Sequence, residues 1–237
     1  MPDPFAAEGN HPPGPIDAST LLGDPAVLEA EDPIWRQNWV PIDNANRDGW
    51  ETTRRVLEAL APHPGERVGD LGAGGGYFTF QVARRVGPTG MVFAQDINPT
   101  LMRKVAWEAR HRGVSQVRAA VTRADSLGLE AHSVDALLMT NVYLFDRCRM
   151  DMNRRYMEQA WRALRPGGRF VILHDFIHTS EWSGGNGQRI CDQLTPEAIA
   201  GLQPSRFREV HRSEVRVPGT YAPGELPGYL LVLRRVD

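Results

Sequence analysis

The spacing of apolar residues changes character along the chain. From about residue 48 to residue 62 it is helical, with Trp50, Val56, Leu57 and Leu60 on one face of a segment that Asp48 can cap. Beyond the link at residues 62–65, short apolar runs alternate with helical segments. The runs predict seven strands, at residues 67–71, 91–94, 117–121, 134–140, 170–173, 207–214 and 229–233.

Helical segments separate the first five strands, whereas a loop rich in proline and glycine joins the last two directly. Residues 77–86 and 151–164 carry apolar residues at helical spacing, and Asn98-Pro99 is a typical helix start. This order predicts an α/β fold with a doubly wound, mostly parallel seven-stranded sheet and an antiparallel C-terminal strand. Such sheets bind ligands at the carboxyl ends of their strands, near the topological switch point.

The first 46 residues differ from the rest of the chain. Residues 1–16 contain five prolines and few large apolar side chains, which predicts a mobile tail. Apolar residues return in 16–41 without clear periodicity and predict short packed helices. We therefore expect an N-terminal tail and extension over 1–46 and one domain over 47–237.

Composition excludes several classes of protein. The 237 residues carry a formal charge of −2, which favours neither a nucleic acid nor an anionic membrane as partner. No apolar run approaches the roughly 18 residues of a membrane span, and the N-terminus lacks signal-peptide features. Two cysteines, Cys148 and Cys191, are too few for a disulfide framework or a cysteine metal cluster. These features predict a soluble, cytoplasmic domain of the size of an ordinary enzyme.

The glycine-rich segment at residues 68–77 carries the clearest chemical signal. The dinucleotide pattern G-x-G-x-x-G fails because Tyr77 occupies the third glycine position, and no lysine follows to make a triphosphate loop. The pattern G-x-G-x-G does fit, at Gly72, Gly74 and Gly76, with Asp70 two positions earlier. A carboxylate beside such a loop repels a pyrophosphate and favours a ligand with positive charge.

A second carboxylate stands where a ribose would bind. Asp96 lies 26 positions after Asp70, at the carboxyl end of the second predicted strand. A carboxylate at this place can accept both hydroxyls of a ribose. The glycine loop and the two carboxylates together predict a cationic nucleoside ligand.

Five segments in order resemble the class I S-adenosylmethionine-dependent methyltransferases. They are residues 68–77, 92–96, 124–126, 133–136 and 164–169, and the resemblance covers roughly residues 47–234. The small-molecule enzymes similar to those of ubiquinone and menaquinone biosynthesis are nearest. The resemblance implies a Rossmann-like fold, S-adenosylmethionine as cofactor, and in-line transfer of its methyl group to a small-molecule acceptor.

The resemblance also implies roles for individual residues at the first two strands. Asp70, Gly72 and Gly74 would line the methionine part of the cofactor. Asp96 would bind the ribose, and Ile97 would lie beside the adenine.

Further roles follow at the third and fourth strands. Asp125 would accept a hydrogen bond from the adenine amino group, with help from the Ser126 backbone, and Asn141 would lie near the sulfonium and the acceptor. Residues 141–144 depart from the Asn-Pro-Pro-Tyr signature of enzymes that methylate amino groups of nucleobases or glutamine. The histidines that relatives often carry shortly after the fourth strand are also missing, so no histidine base is expected there.

Simpler interpretations stay open for these residues. The glycine loop could be a tight turn, Asp125-Ser126 a helix cap, and Asn141 a turn residue. The catalytic group is unknown. His174 and Asp175 are candidates for a base. His174 and His178 could instead hold a metal together with a carboxylate, but no third ligand is evident and no metal is expected.

Rival interpretations of the whole chain also stay open. One is a nicotinamide-dependent oxidoreductase on a similar fold, and another is a protein that binds S-adenosylmethionine without catalysis. Methylation of a macromolecule is a third. Three tryptophans of the N-terminal region could form a lid over the pocket or fix the extension to the body; they are Trp35, Trp39 and Trp50. The acceptor, the methylated atom and the oligomeric state are not predictable from the sequence.

Overall fold

A computed structural model of the chain describes residues 16–17, 51–142, 145–175, 193–218 and 225–237. Its strands are β1 (Ile16–Asp17), β2 (Arg67–Leu71), β3 (Met91–Asp96), β4 (Val117–Val121), β5 (Val134–Thr140), β6 (Leu164–Asp175), β7 (Phe207–Pro218) and β8 (Glu225–Arg235). Its helices are α1 (Glu51–Leu60), α2 (Tyr77–Val86), α3 (Pro99–His111), α4 (Met150–Ala163) and α5 (Pro196–Ala200). The predicted domain boundary at 46/47 and the three tryptophans named above lie outside the described residues.

All strands belong to one sheet, in the order β1-β4-β3-β2-β5-β6-β8-β7. The five strands from β4 to β6 are parallel, and β8 is antiparallel to both β6 and β7. The prediction of a mostly parallel sheet with an antiparallel finish is confirmed. The two-residue β1 adds an eighth strand, antiparallel to β4, that the sequence pattern did not indicate.

The sheet is covered on both faces, as a doubly wound fold requires. One apolar layer joins the sheet to α1, α2 and α3, and the other joins it to α4 and α5. Alternation along β5 shows the division, because Leu138 belongs to the first layer and its neighbours Leu137 and Met139 belong to the second. Side chains on both faces are fully buried, which explains the continuous apolar runs that mark the central strands in the sequence.

Strand β6 begins earlier than its predicted start at residue 170. Leu164 pairs with Val134, and pairing resumes only at Arg169 opposite Ala136, so the register shifts between them. The intervening Pro166-Gly167-Gly168 forms this irregularity. The strand is therefore longer than its apolar run.

Arg169 lies where β6 resumes its pairing with β5, and its side chain holds the C-terminal end of α1. Its guanidinium donates to the carbonyl oxygens of Leu60 and Ala61 and to both carboxylate oxygens of Glu66, at 2.9 and 2.6 Å. Burial raises the pKa of Glu66, but the bonds from Arg169 and from the His63 N–H outweigh it, so the pKa is lowered. This partly buried cluster joins α1 to the sheet.

The order of the strands creates a crevice between β2 and β5. From β2 the chain builds β3 and β4 on one side, and it then returns to build β5 and β6 on the other. The connections after β2 and β5 therefore leave toward opposite faces of the sheet. The place between these two strands is the topological switch point, at which open α/β sheets bind ligands. The glycine loop follows β2, and Asn141 follows β5.

Candidate functional site

The glycine loop turns back onto the end of β3. The N–H groups of Gly72 and Ala73 both donate to the Gln95 carbonyl oxygen, at 2.8 and 2.9 Å. Gly72, Gly74 and Gly76 have φ of +69°, +56° and +89°, a left-handed region that side chains disfavour. The three glycines of the G-x-G-x-G pattern are thus the three that the backbone geometry requires.

Close contacts surround the same loop. A Cβ added at Gly72 would overlap the Val142 side chain, and one added at Gly76 would lie 2.9 Å from Val105 Cγ2 in α3. The loop therefore contacts the segment that follows β5. This contact brings Asn141, the neighbour of Val142, to the edge of the same crevice.

Asp96 lies at the end of β3 and is the central charged group of the site. It is 8 % exposed, and its two carboxylate oxygens accept hydrogen bonds from the N–H groups of Gly74 at 3.0 Å and Asn98 at 2.9 Å. Burial raises the pKa of the Asp96 carboxyl, outweighing these bonds and one from the Ile97 N–H. A carboxylate has about four acceptor sites, so these bonds leave it capacity toward a vicinal diol.

Asp70 lies beneath the glycine loop. It is 1 % exposed, and Thr79 Oγ1 of α2 donates to its Oδ2 at 2.6 Å. The carboxylate thus helps to hold α2 against β2, directly below the loop. Its predicted role beside the methionine part of a cofactor stays a prediction.

Ile97, which follows Asp96, is a large apolar side chain with 48 % of its surface exposed. An exposed isoleucine beside a buried carboxylate offers an apolar surface next to a polar anchor, a combination that suits the base and the ribose of a nucleoside. The predicted adenine contact of Ile97 is compatible with this exposure.

The loop after β4 carries Asp125 and Ser126. The Arg123 guanidinium donates to both carboxylate oxygens of Asp125, at 2.9 and 3.3 Å, and this bond lowers the pKa of Asp125 against a smaller opposing effect of burial. The Ser126 N–H donates to the Arg123 carbonyl oxygen at 3.2 Å. Asp125 is therefore an ionised, exposed acceptor whose direction Arg123 controls.

Gln159 of α4 contacts the same loop through both ends of its amide. Its Nε2 donates to the Asp125 carbonyl oxygen at 2.9 Å, and its Oε1 accepts from the Leu127 N–H at 3.1 Å. The sequence analysis did not identify Gln159. It lies off the apolar face of α4 and belongs to no motif, so no signal in the sequence could have indicated it.

Tyr156, one helical turn before Gln159, is a second residue that the sequence analysis missed. Burial raises the pKa of its hydroxyl, and the negative charge of Asp96 raises it further. Tyr156 is 7 % exposed in the apolar layer of α4, and its ring meets that of Phe145 edge-on with centroids 6.1 Å apart.

Asn141 adopts an unusual conformation at the end of β5. Its φ is +53°, and its N–H donates to the Leu173 carbonyl oxygen at 2.8 Å. Its side-chain Oδ1 is buried and accepts no hydrogen bond from any residue that the structure describes. A buried acceptor without a donor is costly unless a ligand supplies one.

The two candidate catalytic residues differ in how far the structure describes them. His174 is fully buried on the face of β6 that packs with α4, and its ring stacks on Tyr229 of β8 with centroids 6.1 Å apart. The backbone of Asp175 ends β6, but its side chain and His178 lie outside the described residues. Among the side chains described, no three metal-ligating groups come together.

The segment before α4 is fixed by Asp146. This buried carboxylate accepts from the N–H groups of Cys148 and Arg149, both at 3.0 Å, and from the Arg149 guanidinium. Cys148 itself is disulfide-bonded, although the sequence analysis expected no disulfide framework. The other cysteine of the chain, Cys191, lies outside the described residues.

Comparison with known proteins gives the family. Residues 62–199 match the methyltransferase domain family. Nocamycin O-methyltransferase of Saccharothrix syringae is 31 % identical over 155 residues, which cover 64 % of this chain and 54 % of that protein. The ubiquinone/menaquinone biosynthesis C-methyltransferase UbiE of Hydrogenovibrio crunogenus is 29 % identical over 121 residues, 51 % of this chain and 46 % of that one. The chain thus spans about half the length of these curated relatives.

A solved structure supports the fold. The SAM-dependent methyltransferase from Aquifex aeolicus superposes with a TM-score of 0.62 over 91 % of this chain and 100 % of that one, at 16 % identity. At this identity the likeness concerns the fold alone. Because the family match covers more than half of the sequence, the chain belongs to the class I S-adenosylmethionine-dependent methyltransferases.

Proposed function

We propose that this protein transfers the methyl group of S-adenosylmethionine to a small-molecule acceptor. The observation that carries the proposal is the buried Asp96 carboxylate, which bonds to Gly74 of the glycine loop and keeps lone pairs for a ribose. Family membership supplies the reaction class, and the geometry supplies a place for a nucleoside.

The residues present fit this cofactor. Asn141 offers a buried oxygen to which none of the described residues donates, and this oxygen suits the positively charged amino acid part of the ligand. The left-handed Gly72 and Gly74 let that part approach the backbone closely, and Asp70 below them adds negative charge. These four residues form the proposed methionine end.

The nucleoside end of the proposed site lies across β3 and β4. Asp96 binds the ribose hydroxyls, Ile97 lies against the adenine, and Asp125 accepts from the adenine amino group. The Ser126 N–H makes a long 3.2 Å bond in the present turn, and a ring nitrogen can compete for it.

When bound, S-adenosylmethionine supplies a methyl group activated by the positive sulfonium. The protein's own contribution is to hold the cofactor and the acceptor in line, and such alignment accounts for much of the rate in transfer reactions of this kind. A general base is needed only if the acceptor must lose a proton. For that role His174 and Asp175 remain the candidates, and the burial of His174 weighs against it.

A small molecule is the proposed acceptor class. The names of two relatives refer to nocamycin and to ubiquinone/menaquinone biosynthesis, and the net charge of −2 offers no general attraction for a nucleic acid. We test the activity by incubating the enzyme with methyl-labelled S-adenosylmethionine and fractionated metabolite extracts. We expect labelled product together with S-adenosylhomocysteine, and much less of both from an Asp96→Asn variant at a cofactor concentration near the wild-type Kd.

Three other results would favour other functions. Binding of S-adenosylmethionine without S-adenosylhomocysteine in any fraction would indicate a protein that binds the cofactor without catalysis. A change in absorbance at 340 nm with a nicotinamide cofactor, and no methyl transfer, would indicate an oxidoreductase. Label that enters only protein or nucleic acid would indicate a macromolecular acceptor.

We also propose a cytoplasmic location. None of the helices within the described ranges is long and apolar enough to cross a membrane. The disulfide at Cys148 opposes the proposal, because cytosolic thiols are normally kept reduced. Alkylation in intact cells distinguishes a reducing compartment from an oxidising one. Rapid labelling of Cys148 supports the cytoplasmic location, and labelling only after reduction contradicts that location.

A further inference from the structure

The amide of Gln159 contacts the backbone on both sides of Ser126. It donates to the Asp125 carbonyl oxygen at 2.9 Å and accepts from the Leu127 N–H at 3.1 Å. One side chain therefore fixes the peptide group before Ser126 and the peptide group after it. These contacts join residues 34 and 32 positions apart in the chain.

The helix that carries Gln159 is well anchored. Its neighbours Met157 and Ala160 are fully buried in the apolar layer, and Leu127 of the loop is buried in the same layer. The Asp125 side chain is by contrast exposed, and its carboxylate is held by an exposed ion pair with Arg123 and attracted at longer range by Arg155. Since an exposed ion pair fixes a side chain weakly, the backbone bond to Gln159 is the firmer restraint on Asp125.

We propose that Gln159 is a positioning residue for base recognition: it orients the Asp125–Ser126 turn so that the Asp125 carboxylate can select a 6-amino purine. This inference rests on the proposed function, because it takes the base of S-adenosylmethionine as the ligand of the turn. Gln159 itself touches no cofactor in this account and acts through Asp125.

The test compares two ligands that differ only at position 6 of the purine. S-Adenosylhomocysteine offers an amino donor to Asp125, whereas its 6-deamino analogue carries hydrogen at that position and offers no donor, with the same N1 acceptor in both. Loss of a charge-assisted hydrogen bond predicts that the wild type prefers the adenine ligand by roughly tenfold or more in calorimetric titration. In Gln159→Met, which keeps the length of the side chain and removes both bonds, we expect this preference to fall to about threefold or less.

Two further variants exclude a merely structural effect. Gln203→Met removes an exposed amide that donates to the Arg154 carbonyl oxygen, five residues before Gln159 on the same helix, and should leave the preference unchanged. Gln159→Glu keeps an acceptor for the Leu127 N–H and loses the donor to the Asp125 carbonyl oxygen, so it should also lower the preference. General destabilisation would weaken both ligands equally and leave their ratio intact.

Each outcome decides a different point. If the wild type binds neither ligand, the proposed function fails. If it binds both without preference, the role of Asp125 fails, and the proposal for Gln159 fails with it. If the wild type prefers the adenine ligand and both Gln159 variants keep the full preference, only the inference about Gln159 is overturned.

Discussion

Replacing Asp96 by asparagine should weaken cofactor binding strongly and change the stability of the free protein little. In the wild type both carboxylate oxygens already accept one backbone N–H, from Gly74 and from Asn98. Asparagine keeps one acceptor oxygen and presents an NH₂ group in place of the other. One ribose hydroxyl therefore loses its acceptor, and one backbone N–H faces another donor.

The magnitude follows from these contacts. A hydrogen bond to a charged group contributes about 1.5–3 kcal/mol, so loss of one such bond to the ribose, with weakening of the other, should cost about 2–3 kcal/mol, or roughly 30- to 150-fold in Kd. The free protein loses one backbone bond, about 1 kcal/mol, but no longer buries a charge. Its free energy of unfolding should therefore change by at most about 1 kcal/mol.

Calorimetric titration with S-adenosylhomocysteine and urea unfolding of the free protein measure the two quantities. Asp151→Asn is the matched control, because that side chain is 89 % exposed in a surface ion pair and should affect neither. A Kd within threefold of wild type for Asp96→Asn would show that Asp96 does not bind the ribose. Loss of several kcal/mol of stability would show instead that the carboxylate is mainly structural.

Three further predictions concern ionised groups. Cofactor affinity should weaken as the pH falls through the raised pKa of Asp96, because the diol needs the ionised carboxylate. The stability that Asp96 adds to the free protein is instead present at low pH and is lost as the pH rises through that pKa. Titrations with the cofactor and urea unfolding from pH 5 to 8 measure these two effects. Arg169→Met should cost about 2–3 kcal/mol in urea unfolding, because it leaves Glu66 partly buried without its cation. The lowered pKa of Glu66 gives stability that is present at neutral pH and lost as the pH falls through that pKa, and this acid-side loss should diminish in the variant. Thr79→Val should cost about 2 kcal/mol, because the buried Asp70 carboxylate loses a donor.

Controls at exposed sites accompany these variants. Arg154→Met removes a cation from an exposed ion pair and should cost no more than about 0.5 kcal/mol, and Thr89→Val at an exposed position should cost as little. Costs for Arg169→Met or Thr79→Val no larger than those of their controls would contradict the assigned roles. A cofactor affinity independent of pH would contradict the role of the ionised Asp96.

The parts of the site that local sequence determines were predictable. The glycines after β2 follow from backbone geometry, since Gly72, Gly74 and Gly76 need a positive φ. Asp96 follows from its place at the end of an apolar strand run. Both features depend on a few consecutive residues, which is why the pattern of the chain is enough to locate them.

The remaining contacts depend on how distant elements pack. Gln159 reaches the loop after β4 only because α4 packs on that face of the sheet, and it stands in no motif. His174 is a candidate base in the sequence, but the alternation of β6 directs it to the buried face, where it pairs with Tyr229. The early start of β6 depends on its register with β5, which the apolar run of β6 does not encode.

The most direct test of the central claim is a calorimetric titration of the wild-type protein with S-adenosylmethionine. Asp96, the left-handed glycine loop and the buried Asn141 oxygen predict saturable binding at one site per chain. Absence of any binding, with the protein shown to be folded by its urea transition, would contradict the assignment of this crevice as a cofactor site.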